Sequence, residues 1–141
     1  MDGLVSRRHL SLELALSLLA QVRAEAETRG LSLAAAVVDG SGHVLASQRM
    51  DGAALGAMQL AVGKAYTAVS WSTPSGELGR STQPGGDDWG WNTTDSRIVV
   101  YAGGIPLLVD GELVGAIGAS GGTATQDEEC AVAAAAGLGF D

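Results

Sequence analysis

The sequence predicts an α/β (α+β) fold, an antiparallel sheet with helices packed against it. Three observations predict it. Asp110-Gly111 sits between Leu107-Leu108-Val109 and Leu113-Val114, and a two-residue primed turn of this kind needs positive φ at both central positions. Asp39-Gly40-Ser41-Gly42 joins a second pair of strand-like runs. Helical segments separate these two hairpin-rich regions instead of alternating with single strands, which argues against βαβ units.

Taken in chain order, residues 11–29 read as an amphipathic helix with Leu12, Leu16, Leu19 and Val22 along one side and Gly30 as its stop. Residues 33–38 form a short apolar strand and 43–49 its hairpin partner, broken by Met50-Asp51-Gly52. Residues 55–71 are a long, mostly apolar helix. Thr73 caps a short helix that has Pro74 at its first position, where a missing N–H costs nothing. Residues 81–96 are a polar, glycine-containing loop. Residues 97–102, 106–109 and 112–119 then make three strands, which brings the sheet to five. The last helix, 123–136, opens with the Thr-x-x-Gln spacing of a capping box.

A chain of 141 residues corresponds to a single domain, residues 1–141, and buries roughly two-thirds of its unfolded surface. Its aromatic content is 4% against 46% hydrophobic, so Ala and Gly dominate and close backbone packing is expected. The net charge of -8 disfavours nucleic acid or an anionic membrane as a partner, since both attract basic patches. No apolar run approaches the ~20 residues of a membrane span. Arg7-Arg8 before a Leu-rich run faintly resembles a twin-arginine export signal. Glu13 interrupts that run, and Gln21, Arg23, Glu25 and Glu27 follow without a cleavage site, so a first helix and a cytoplasmic location are expected. Cys130 is the single cysteine; it lies in an Ala-rich helix, where it reads as a small buried apolar residue.

The segment 101–129 carries the densest signal. Gly103-Gly104 ends a strand, and Gly121-Gly122 precedes a helix start with its free N–H groups and positive dipole end. Together they are consistent with a small-ligand site made of backbone, or simply with turns and close packing. Neither a Walker A nor a Rossmann fingerprint is present. Lys64 is the only charged residue between Asp51 and Glu77, in the middle of an apolar helix. It either acts as a desolvated base or substrate-binding cation, or pairs with Asp39, Asp51 or a neighbouring subunit. Asp39 and Asp51 fit turn positions, and the Arg49 fork suits a ligand carboxylate. In the loop, Trp89 and Trp91 are expected to cover a pocket or meet a partner, and Asp87 or Asp88 beside an indole is a candidate acid or base. No group of His, Cys and carboxylates has the spacing of a zinc or iron site.

Five segments occur in a recognisable order: AVVDGSGH at 36–43, RMDG at 49–52, KAYTA at 64–68, GGIP at 103–106 and GASGG at 118–122. In this the chain resembles the GlcG/HbpS family, which includes the C-terminal domain of PduO-type cobalamin adenosyltransferases. The resemblance covers nearly the whole chain. It implies an α/β/α arrangement around a five-stranded sheet and assembly as a homo-oligomer. Because some members bind or degrade haem, it implies haem or a related cofactor, with His9 or His43 as axial ligand and Tyr66, Tyr101 and Met50 as weaker donors. The Trp-containing loop 83–95 departs from the family's apolar Gly/Leu/Pro stretch and favours a pocket for a smaller organic ligand. Two functional expectations follow. One is a binding protein for haem or a related small molecule. The other is a cofactor-independent isomerase, cyclase or lyase acting on a small carbonyl or carboxylate substrate through Lys64 with Asp87 or Asp88. A third, an accessory domain without its own chemistry, stands behind both.

Overall fold

In the computed structural model, which describes residues 1–141, helix α1 spans Leu12–Thr28, strands β1 and β2 span Ala34–Asp39 and Val44–Arg49, and helices α2 and α3 span Ala57–Trp71 and Ser75–Ser81. Strands β3 and β4 follow at Gly104–Val109 and Glu112–Ser120, and helix α4 closes the order at Ala124–Gly137. The sheet is antiparallel throughout, in the order β2-β1-β4-β3. α1 and α4 cover one face and α2 the other.

The strand pattern sets this layering, because successive side chains point to opposite faces. On β1, Ala35 and Val37 join Leu18, Leu19, Val22, Ala131 and Ala134 in the larger core, under α1 and α4. Ala34 and Ala36 face Ala57 and Ala61 of α2, and Val38 meets Ala65, Ala68 and Val69. The central strands carry mostly alanine and glycine toward α2, so that helix lies almost on the backbone. A Cβ at Gly118 would run into the Ala61 carbonyl.

Several expectations hold in detail. Asp110 and Gly111 take φ of 52° and 75°, the primed turn that the sequence demands. Thr123 and Gln126 exchange both capping-box hydrogen bonds, at 3.2 and 2.9 Å. The Ser11 hydroxyl accepts from the Leu14 N–H at the start of α1.

Three expectations need correction. The sheet has four strands, not five. Residues 97–102 lie over the helices: the Val99 N–H donates to the Thr67 hydroxyl at 2.8 Å, and Val99 and Ala102 press on the bare backbone of Gly63 and Gly76. Their β-branched composition reads as a strand, but their main-chain partner is a helix side chain. On α1, the buried stripe is Ala15, Leu18, Leu19, Val22 and Ala26, while Leu12 and Leu16 face outward. The alanine-rich α4 approaches so closely that small residues take the core positions a leucine count would assign elsewhere. Thr73 does not cap α3; its hydroxyl donates to the Trp71 carbonyl instead.

Ahead of α1, Leu10 is buried and its N–H donates to the Val114 carbonyl at 3.1 Å. The Arg8 guanidinium reaches Glu112 at 2.6 Å and the Val109 carbonyl at 3.0 Å. This short arm therefore rides on the β3–β4 hairpin.

Candidate functional site

α2 carries Lys64 across the sheet face, and its ammonium ends between two loops far apart in sequence. Nζ lies 2.8 Å from Asp127 Oδ2, 3.0 Å from the Ala119 carbonyl and 3.4 Å from Ser120 Oγ. Lys64 and Asp127 are each 2% exposed. The other Asp127 oxygen accepts from the Gly122 N–H at 2.8 Å. A Cβ on Gly103 would lie 3.0 Å from Nζ, and one on Gly104 would strike the Lys64 carbonyl. Both glycine pairs therefore converge on Lys64, as a close-packed junction around an ion pair. Its lysine partner is Asp127, which the sequence reading did not single out; neither Asp39 nor Asp51 plays that part. The signal was present, since a carboxylate in the first turn after a capping box aims back at the preceding loop. No buried side-chain nitrogen or oxygen is left without a partner.

The loop candidates lie elsewhere. Trp91 stacks edge-on against Trp71 of α2, with ring centroids 5.1 Å apart, and Trp89 stays 68% exposed. Asp87 and Asp88 are exposed in turns. Asp95 is the acid that the loop brings to α2. It accepts from the Tyr66 hydroxyl at 3.0 Å and takes the Arg97 fork at 3.0 and 2.8 Å. These Arg97 hydrogen bonds hold its carboxyl well below the ordinary carboxylate range. The Arg97 guanidinium also lies 4.2 Å above the Tyr66 ring, a cation–π contact. Sequence reasoning missed this Tyr66–Asp95–Arg97 cluster because its members come from one helix and an irregular segment.

Beside the cluster runs a groove of about 630 Å³ between α2, the β1–β2 turn and residues 96–99. A smaller polar groove of about 320 Å³ holds Arg49, Met50 and Asp51 with Arg23 and Glu27 of α1. His43 is 81% exposed, its Nδ1 3.7 Å from Asp39 Oδ1. His9 is exposed at the other side of the same turn, against Gly40. Tyr101 is exposed, and the Met50 sulfur faces the Leu33 N–H. No three His, Cys or carboxylate groups converge as a metal site, and no helix is long and apolar enough to cross a membrane.

Known proteins share this architecture. GlcG of Escherichia coli strain K12 is 37% identical over 116 residues, which are 79% of this chain and 81% of GlcG. A double mutant of HbpS from Streptomyces reticuli superposes with a TM-score of 0.90 at 34% identity, over 99% of this chain and 93% of that one. The crystal structure of a PduOC–haem complex gives 0.90 at 31% identity, over 94% and 97%. Residues 10–136 match the family described as haem degrading protein HbpS-like, and to that family the chain belongs.

Proposed function

We propose that this protein binds haem or a closely related tetrapyrrole. The observation that carries the reading is the likeness, over 94% of the chain, to a domain crystallised as a haem complex. The donor set of this chain fits the group. Two imidazoles, His9 and His43, stand exposed on either side of the β1–β2 turn, where an iron can reach them, and imidazole is a common axial ligand. Bound there, haem would supply a redox-active iron, and the protein's own part is to hold and orient the ring.

Assembly as a homo-oligomer belongs to the same proposal. Exposed Leu12, Leu16, Leu55 and Trp89 offer apolar surface for it. A cytoplasmic setting is consistent with the lone, buried, unpaired Cys130. The enzyme alternative draws no support from the relatives. The Lys64 ammonium is enclosed by its partners, and Asp87 and Asp88 are solvent-facing loop acids.

Titration with ferric haem tests the reading. A saturable Soret band at micromolar haem is expected, shifted or lost when His9 or His43 is replaced by Ala. An unchanged haem spectrum at micromolar protein would refute it.

A further inference from the structure

We infer that the groove beside Tyr66 and Arg97 is a binding site, separate from any haem, for a small organic acid with a flat apolar body and one carboxylate. The groove's volume of about 630 Å³ lies within the usual range of small-molecule sites. Leu60, Val62, Val99 and the Tyr66 ring form its walls, and such walls call for an apolar body. Leu60 is 38% exposed there, with nothing in the chain packed over it. No histidine or cysteine lines the groove, and the Tyr66 hydroxyl is already bonded to Asp95, so the site offers an iron no free donor.

The charge of the occupant follows from the lining. Arg97 is the only charged side chain among the lining residues. It gives Nε and Nη2 to Asp95 and lies 4.2 Å over the Tyr66 ring, while Nη1 makes no hydrogen bond within the chain. A planar guanidinium suits a planar carboxylate. Asp95 and Tyr66 already immobilise this one, so it loses little side-chain entropy on taking up a ligand. The Tyr66 ring is fixed in turn, by its hydroxyl on Asp95 at 3.0 Å and by the bare backbone of Gly42, where an added Cβ would lie 3.5 Å from Cδ2.

Asp95 also limits how much negative charge the groove accepts. Its hydrogen bonds with Arg97 keep it ionised, and the whole chain carries a net charge of -8. A single carboxylate matches the one half-compensated cation. A phosphate monoester, almost doubly charged near neutral pH, meets more repulsion than that donor offsets. A cationic ligand finds no carboxylate among the lining residues. The Gln59 amide, unbonded within the chain, stands on the same wall as a second and neutral donor.

Calorimetric titration with cinnamate, its neutral amide cinnamamide, and phenyl phosphate tests the assignment on the intact chain and on Leu60→Asp and Arg97→Gln. Cinnamate is expected to bind saturably, at least tenfold tighter than either of the other two. Arg97→Gln should bring cinnamate down to the level of cinnamamide and leave cinnamamide unchanged. Leu60→Asp should weaken both. Leu60 is exposed, so that variant keeps the test valid even where Arg97→Gln loosens the loop; circular dichroism and melting temperature check both folds. Absence of saturable cinnamate binding at millimolar concentration would overturn the assignment. So would equal affinity for acid and amide, or wild-type cinnamate affinity in Leu60→Asp. A smaller oligomer in Leu60→Asp, with no cinnamate binding to the intact chain, would overturn it too and put a second copy of the chain over the groove. None of these outcomes depends on haem.

Discussion

The Lys64 ammonium and the Asp127 carboxylate meet 2.8 Å apart with side chains 2% and 3% exposed, joining the middle of α2 to the first turn of α4 through the sheet. The ammonium's three donors go to Asp127, Ala119 and Ser120, and the second Asp127 oxygen accepts from Gly122. Desolvation offsets much of the attraction in such a pair, while leaving either charge buried alone is costly.

Removing one partner is therefore worse than removing both. Lys64→Met is expected to cost about 3–5 kcal/mol by leaving Asp127 charged and buried without a counterion. Lys64→Met combined with Asp127→Leu should cost clearly less than the two single changes summed. Urea unfolding of the three variants measures this coupling, and simple additivity would show that the pair does not act as a unit.

Gly118 tests the close approach of α2. A methyl there overlaps the Ala61 carbonyl and comes within 2.7 Å of the Ala65 nitrogen. Gly118→Ala is expected to destabilise by about 1–3 kcal/mol or more, as overpacking does. Gly56→Ala, which has open space around the added methyl, should be neutral or slightly stabilising. Thermal melts of the two side by side make the comparison, and equal melting temperatures would contradict the packing described.

Asp95 makes stability pH-dependent. Its hydrogen bonds with Arg97 lower its carboxyl in the folded chain, so the folded state binds this proton less readily than the unfolded one. The contribution is present in full above the unfolded value near 3.9 and is lost as pH falls through the depressed folded value. Asp95→Asn should therefore differ from wild type by a constant amount above about pH 5, with the gap closing below about pH 4. Denaturation midpoints across that range report it; a gap that widens in acid would contradict the sign.

Much of the architecture was legible because local chemistry dictates it. Asp110-Gly111 and Thr123-x-x-Gln126 have few alternatives as turn and cap, and both occur as read. The family segments placed Lys64 near both glycine pairs. What was not legible is the choice among long-range partners. Residues 97–102 have a strand's composition, and only the presence of Thr67 and Gly63 on α2 decides that they bond to a helix instead. Asp39 and Asp51 stand directly beside glycine turns and drew attention as Lys64 partners, whereas the actual partner, Asp127, sits in the first turn of α4, five residues beyond Gly122. The Tyr66–Asp95–Arg97 cluster was hidden for the same reason. Its residues become neighbours only after the loop folds back, pinned by Trp91 on Trp71.

The arm ahead of α1 bears on how the protein is handled at the bench. Residues 1–7 are exposed and are where a tag or fusion partner is expected to disturb the fold least, whereas the anchored stretch begins at Arg8. A shortened version starting at residue 11 would discard Leu10 and its bond to Val114, and would bare the hairpin strand that Leu10 covers at Gly115. Cloning boundaries are best drawn upstream of that latch.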